Sequence, residues 1–143
     1  MPRNAESLLK QAKKNKDVTV FQLLIRIHNR KMLNITKRQA EKTTILDLEG
    51  NVILGGGSRK IGEEVRHLIK TGTSNFLLNF SRVKYIDSSG VGELFALLEL
   101  VKQNDGNLKL SNLPGKVEEV LTLSGFLPMF EIYKDENAAL QSN

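Results

Sequence analysis

The residues best equipped for chemistry are Asp87, Ser88 and Ser89, which stand together immediately before Gly90. Two hydroxyls beside a carboxylate suit either a nucleophile or an acceptor of a transferred group. A nucleophilic serine needs a base within reach. The chain holds only two histidines, His28 and His67, neither close in sequence, and the Gly-x-Ser-x-Gly elbow is absent. Accepting a phosphoryl group requires no base on this chain, only a hydroxyl that a visiting enzyme can reach. A polar turn between a strand and a helix is first of all an N-cap, worth about 0.5–2 kcal/mol over alanine. One polar residue would meet that need, yet three precede Gly90. A phosphoryl group at this position is expected to leave the fold intact, because the helix dipole and free N–H groups favour an anion there.

The other candidates have simpler explanations. Gly55-Gly56-Gly57-Ser58-Arg59-Lys60 invites comparison with a phosphate-binding loop, since a glycine-rich turn entering a helix presents N–H groups to an anion. A P-loop ends in Gly-Lys-Ser/Thr, whereas here serine precedes Arg59 and Lys60, and the dinucleotide fingerprint needs glycine where Lys60 stands. The run reads as a strand-to-helix connection capped by Ser58. His67 has no second ligand at helical spacing and reads as a surface or boundary residue. Glu63-Glu64 and Glu118-Glu119 are adjacent acids that point to different helix faces, so neither pair can share a proton as a catalytic dyad does. The absence of cysteine removes disulfides, thiolate nucleophiles and thiolate zinc sites. No metal site and no cofactor are expected, and the chain is read as a non-enzyme.

The elements that must hold the motif follow from periodicity. Ile35–Gln39 and Thr43–Leu48 are β-rich and predict a hairpin across Ala40 to Lys42. Glu49-Gly50-Asn51 has turn chemistry, followed by the short extended run Val52-Ile53-Leu54. Ile61, Val65, Leu68 and Ile69 fall at helical spacing, with Lys70 at the dipole-favoured end and Gly72 closing. Phe76–Phe80 is an apolar run suited to a strand buried on both faces, and Ser81 to Lys84 reads as a turn before Tyr85-Ile86. A second helix opens at the motif, with Val91, Leu94, Phe95, Leu98 and Val101 as its stripe and Leu97 and Leu100 widening it. Asp105-Gly106-Asn107 turns into the strand Leu108–Leu110. A third helix starts near Pro114, carries Val117, Val120, Leu121 and Leu123, and ends at Gly125. Phe130–Tyr133 is a last strand, and Asp135 caps a terminal helix. Strands alternating with helices predict an α/β fold with a mostly parallel, mixed sheet of about four to five strands and helices packed on it.

The net charge of +5 would point to an acidic partner if it were spread evenly. It is not. Residues 1–31 carry eight basic and two acidic residues, whereas residues 32–143 carry thirteen basic and fourteen acidic ones, so the halves stand at +6 and −1. The body, 32–143, is expected to be the folded domain and not a direct binder of nucleic acid. The extension 1–31 reads as a basic arm that touches a nucleic acid, membrane or partner, as a flexible or loosely docked extension, or as sequence upstream of a true start at Met32. No apolar stretch approaches eighteen residues and the start lacks a secretory pattern, so no membrane contact by the domain and a cytoplasmic address are expected.

The run Leu77-Leu78-Asn79-Phe80, then Val83 and Tyr85-Ile86-Asp87-Ser88-Ser89-Gly90-Val91-Gly92, resembles the core motif of STAS domains, and among them most closely the bacterial anti-sigma factor antagonists. Leu48-Glu49-Gly50 and Leu123-Ser124-Gly125-Phe126 fit the same pattern over residues 33–143. The resemblance implies a partner switch. Ser88 would be phosphorylated by an anti-sigma factor serine kinase, which the unphosphorylated protein captures, and a serine phosphatase would reset it. Ser89 is the fallback acceptor, and Asp87, Ser88, Ser89, Gly90, Val91 and Gly92 form the implied partner-binding segment, with the two glycines keeping the loop and helix start open. The leader and the Gly55–Gly57 triplet depart from the family pattern. The alternative is a STAS scaffold or transporter-associated subunit with no phosphoswitch.

Overall fold

The computed structural model describes residues 32–142 together with Ser7, Lys10, Lys14, Thr19, Val20, Gln22 and Leu23. The chain divides into two units, Met1–Met32 and Leu33–Asn143. In the first, the seven described residues before Met32 are helical and exposed, Met32 is an exposed bend, and the rest of the proposed basic arm lies outside the described residues.

The second unit is an α/β sandwich. Its strands are β1 (Asn34–Ala40), β2 (Thr43–Val52), β3 (Asn75–Ile86), β4 (Asn107–Ser111) and β5 (Glu131–Tyr133); its helices are α1 (Gly57–Lys70), α2 (Ser88–Gln103), α3 (Gly115–Ser124) and α4 (Glu136–Gln141), with a 3₁₀ turn at Leu127–Met129. The five strands lie side by side in chain order. β1 and β2 form an antiparallel hairpin whose tight turn places Glu41 at φ 53°, and β2, β3, β4 and β5 are parallel. Parallel neighbours need crossovers, which the helices supply.

Alternation along the strands sorts side chains to two faces. Leu46, Leu48, Phe76, Leu78, Phe80, Leu108 and Leu110 join the buried stripes of α1, α2 and α3 in the main core. Ile45 and Leu77 point the other way and pack with Ala139 of α4, beside Ala40 and Tyr133. On that second face Lys109 is buried, and its ammonium donates to the carbonyls of Ala139 (2.9 Å) and Ser142 (2.6 Å) at the end of α4. A cation at a helix C-terminus satisfies acceptors the helix cannot.

Four local expectations change. Glu49-Gly50-Asn51 is no turn: β2 runs on to Val52, with register shifts against β3 and Gly50 at φ 120°. The turn-forming residues make an irregularity within a strand, because pairing with β3 continues on its far side. Ser81 to Lys84 likewise belongs to β3, where Arg82 and Val83 pair with Glu49 and Gly50. β3 therefore runs well past β4, which pairs only with residues 75–79. Ser58 lies inside α1, whose N-cap is Gly56, and makes no cap bond. Leu123 is not on the packed face of α3 but 80% exposed.

Candidate functional site

β2 and β3 end side by side, with Val52 opposite Ile86, and the chain leaves them into two adjacent loops. One carries Ile53 to Gly56 into α1; the other is Asp87 alone, the N-cap of α2. The two loops meet through the Asp87 carboxylate. Its Oδ1 accepts from the Ser89 hydroxyl at 2.6 Å and from the Gly90 N–H at 3.0 Å, and its Oδ2 accepts from the Leu54 N–H at 3.0 Å. The Asp87 N–H donates to the Val52 carbonyl at 3.3 Å. Burial pushes the Asp87 pKa up, but the hydrogen bonds from the Ser89 hydroxyl and from the N–H groups of Leu54, Gly90 and Ser89 outweigh it, so the carboxyl titrates below its usual range.

The two serines are thereby separated in kind. Ser89 is half-buried, and its hydroxyl is tied to Asp87 and also lies 3.3 Å from the Ser58 hydroxyl. Ser58 in turn donates to the Ile53 carbonyl at 3.4 Å, so the residue expected as a helix cap instead braces the junction of the two loops. Ser88, the first residue of α2, is exposed, and its hydroxyl has no hydrogen-bond partner among the described residues.

The rest of the motif divides between packing and surface. Val91 is 2% exposed and belongs to the core. Gly90 is buried, and a Cβ there would collide with the Val52 carbonyl oxygen and lie 2.8 Å from Ile86 Cγ1. Its lack of a side chain lets α2 start against the end of β2. Gly92 is exposed, and a Cβ would meet nothing within 4 Å. The outward face of the segment is thus Ser88 and Gly92, flanked by half-buried Asp87 and Ser89.

Asp87 also alters the electrostatic expectation. The Gly90 N–H already bonds its carboxylate, so the helix start is not a vacant anion site. Exposure, not capture in the helix terminus, is what Ser88 would offer an added negative group. Sequence reasoning missed two members of the site. Nothing in the pattern signalled that the Leu54 N–H would anchor on Asp87, and Ser58 drew notice only as a cap.

Elsewhere, Lys60 of the glycine-rich connection donates to the Leu33 carbonyl at 2.8 Å and so serves the fold. His67 is exposed. No group of three or more His, Cys, Asp or Glu placed to hold a metal occurs among the described residues, and none of their helices is long and apolar enough to cross a membrane. A cavity of about 470 Å³ lined by Lys42, Thr43, Asn75, Asn107 and Lys109 opens where β2, β3 and β4 begin, at the opposite edge of the sheet from Ser88.

Comparison with known proteins places this architecture. The family model described as STAS domain matches residues 34–139. BtrV of Bordetella bronchiseptica, a candidate anti-sigma factor antagonist by name, is 26% identical over 107 residues, spanning 75% of this chain and 91% of its own. The crystal structure of TM1081, a candidate anti-sigma factor antagonist of Thermotoga maritima, superposes with a TM-score of 0.70 at 21% identity, covering 75% of this chain and 92% of its own. The anti-sigma factor antagonist SpoIIAA of Bacillus superposes in its unphosphorylated form with a TM-score of 0.63 at 23% identity over 74% and 93% of the two chains, and in its phosphorylated form with 0.59 at 22% over 76% and 98%.

Proposed function

This chain belongs to the STAS domain family, and from that premise we propose that it is an anti-sigma factor antagonist, a non-enzymatic module that changes partners when Ser88 is phosphorylated. The observation that carries the reading is the contrast between two neighbouring hydroxyls: Ser89 is bound to Asp87, and Ser88 is exposed at the start of α2. The names of BtrV and of the SpoIIAA structures support the same general role.

In this reading the folded domain begins near residue 32 and acts in the cytoplasm. Unphosphorylated, it captures an anti-sigma factor that is itself a serine kinase. The Ser88 oxygen attacks the γ-phosphorus of ATP bound to that kinase. The new O–P bond forms as the bond to the departing ADP oxygen breaks, and the hydroxyl proton leaves to a base on the kinase. A serine phosphatase reverses the modification by hydrolysis. The phosphoryl group adds about −1.5 to −2 charges. It arrives beside Asp87, whose carboxyl is held ionised, so a partner surface fitted to the neutral hydroxyl would have to bury two like charges together. Such a mismatch costs several kcal/mol, and about 3 kcal/mol would lower affinity roughly a hundredfold.

The test is a pair of substitutions at one position. Ser88→Ala should bind the kinase as the unmodified chain does, and Ser88→Asp should bind it at least tenfold more weakly. Equal affinity of the two variants would favour the fixed-scaffold reading over the switch.

A further inference from the structure

Three consecutive glycines, Gly55 to Gly57, lead from β2 into the first residue of α1, and Leu54 precedes them. Two of the glycines answer to the backbone. A Cβ on Gly57 would collide with the Asn51 carbonyl oxygen, and Gly55 holds a left-handed φ of 94°. Gly56 answers to neither demand. Its φ of −176° lies outside the left-handed region, and a Cβ there would have nothing within 4 Å. What glycine achieves at 56 is bare surface.

Beside that bare surface Leu54 is 78% exposed. A lone exposed leucine is ordinary on a protein surface. This one differs in its anchorage: its N–H is held by the Oδ2 of Asp87, the residue covalently joined to Ser88. The carboxylate that holds the Leu54 backbone belongs to the residue that directly precedes the Ser88 hydroxyl in the chain. An enzyme that brings a γ-phosphorus to the Ser88 oxygen approaches the same junction of loops on which Leu54 is anchored and exposed. With Gly55 and Gly56 carrying no side chains, the leucine stands clear and leaves room for the rim of a recess to close around it.

We propose that Leu54 is the docking knob through which the serine kinase selects this chain, entering an apolar recess beside the kinase's phosphoryl-transfer site. The proposal rests on the reading of Ser88 as acceptor. It assigns the glycine-rich connection a role in recognition that is separate from the transfer itself.

The test offers the full chain, with magnesium and ATP, to each purified anti-sigma-type serine kinase encoded in the source genome, and compares initial rates for the unmodified chain with those of Leu54→Ala, Leu54→Met and Gly56→Gln. The expected result is a KM raised tenfold or more by Leu54→Ala with kcat within about twofold, the pattern of a lost contact that serves binding alone. Leu54→Met should fall within about threefold of the unmodified chain. Gly56→Gln, which the open space lets fold, should raise KM by crowding the knob. Melting temperatures of the two Leu54 variants should be unchanged, since Leu54 packs against little. If Leu54→Ala and Gly56→Gln are phosphorylated at Ser88 with unaltered KM, or if kcat alone falls, the knob is overturned and the acceptor stands. If no kinase modifies the unmodified chain at Ser88, the acceptor reading fails and takes the knob with it.

Discussion

Asp87 holds Leu54 by its backbone: the carboxylate of the residue that caps α2 accepts the N–H at the mouth of the β2–α1 loop at 3.0 Å. One side chain thus closes a helix terminus, fastens a neighbouring loop and restrains the hydroxyl of Ser89, leaving Ser88 as the exposed hydroxyl of the pair. The consequences can be measured.

Asp87→Ala removes an N-cap and leaves the Leu54 and Gly90 N–H groups without their acceptor. Loss of the cap alone should lower stability by about 0.5–2 kcal/mol, read as a shifted urea midpoint. The effect should depend on pH. Because the folded carboxyl titrates below the ordinary value of 3.8, its contribution is present above that value and lost as pH falls through the folded one. The gap between Asp87→Ala and the unmodified chain should therefore be widest near neutrality and narrow in acid; a gap that widens on acidification would contradict the assignment.

Gly90 and Gly92 should respond oppositely to alanine. At Gly90 the new methyl meets the Val52 carbonyl and Ile86, and overpacking of this kind costs about 1–3 kcal/mol. At Gly92 the space is open and alanine is the better helix former, so stability should rise by up to about 1 kcal/mol. Thermal unfolding of the two variants gives the comparison directly.

Lys109→Met should loosen the C-terminal helix. Removing the ammonium orphans the carbonyls of Ala139 and Ser142, at about 1–3 kcal/mol for acceptors left buried and unpaired. Hydrogen exchange should speed up in α4 and change little in α2, on the other face of the sheet.

Much of this was legible in the residues. The apolar spacing of Ile61, Val65 and Leu68 and of Val91, Leu94, Leu98 and Val101 predicts the two long helices and their buried faces, which the structure shows. The apolar run at Phe76 gives the central strand, since a strand covered on both faces cannot alternate. What failed to show was long-range pairing. Gly50 and Ser81 look like turn residues because their local chemistry is that of turns, and only the partner strand converts them to strand positions. The motif itself was visible as three polar residues before Gly90. Its internal division of labour was not, because which serine Asp87 restrains depends on side-chain geometry, and the bond to Leu54 spans 33 residues.

Where the phosphate goes decides most directly whether Ser88 is the acceptor. Peptide mapping of the full chain by mass spectrometry, after incubation with ATP and its anti-sigma-type kinase, should find one modification, at Ser88, and Ser88→Ala should abolish it even though Ser89 is intact. Phosphate on Ser89 or on any other residue, or incorporation undiminished in Ser88→Ala, would contradict it.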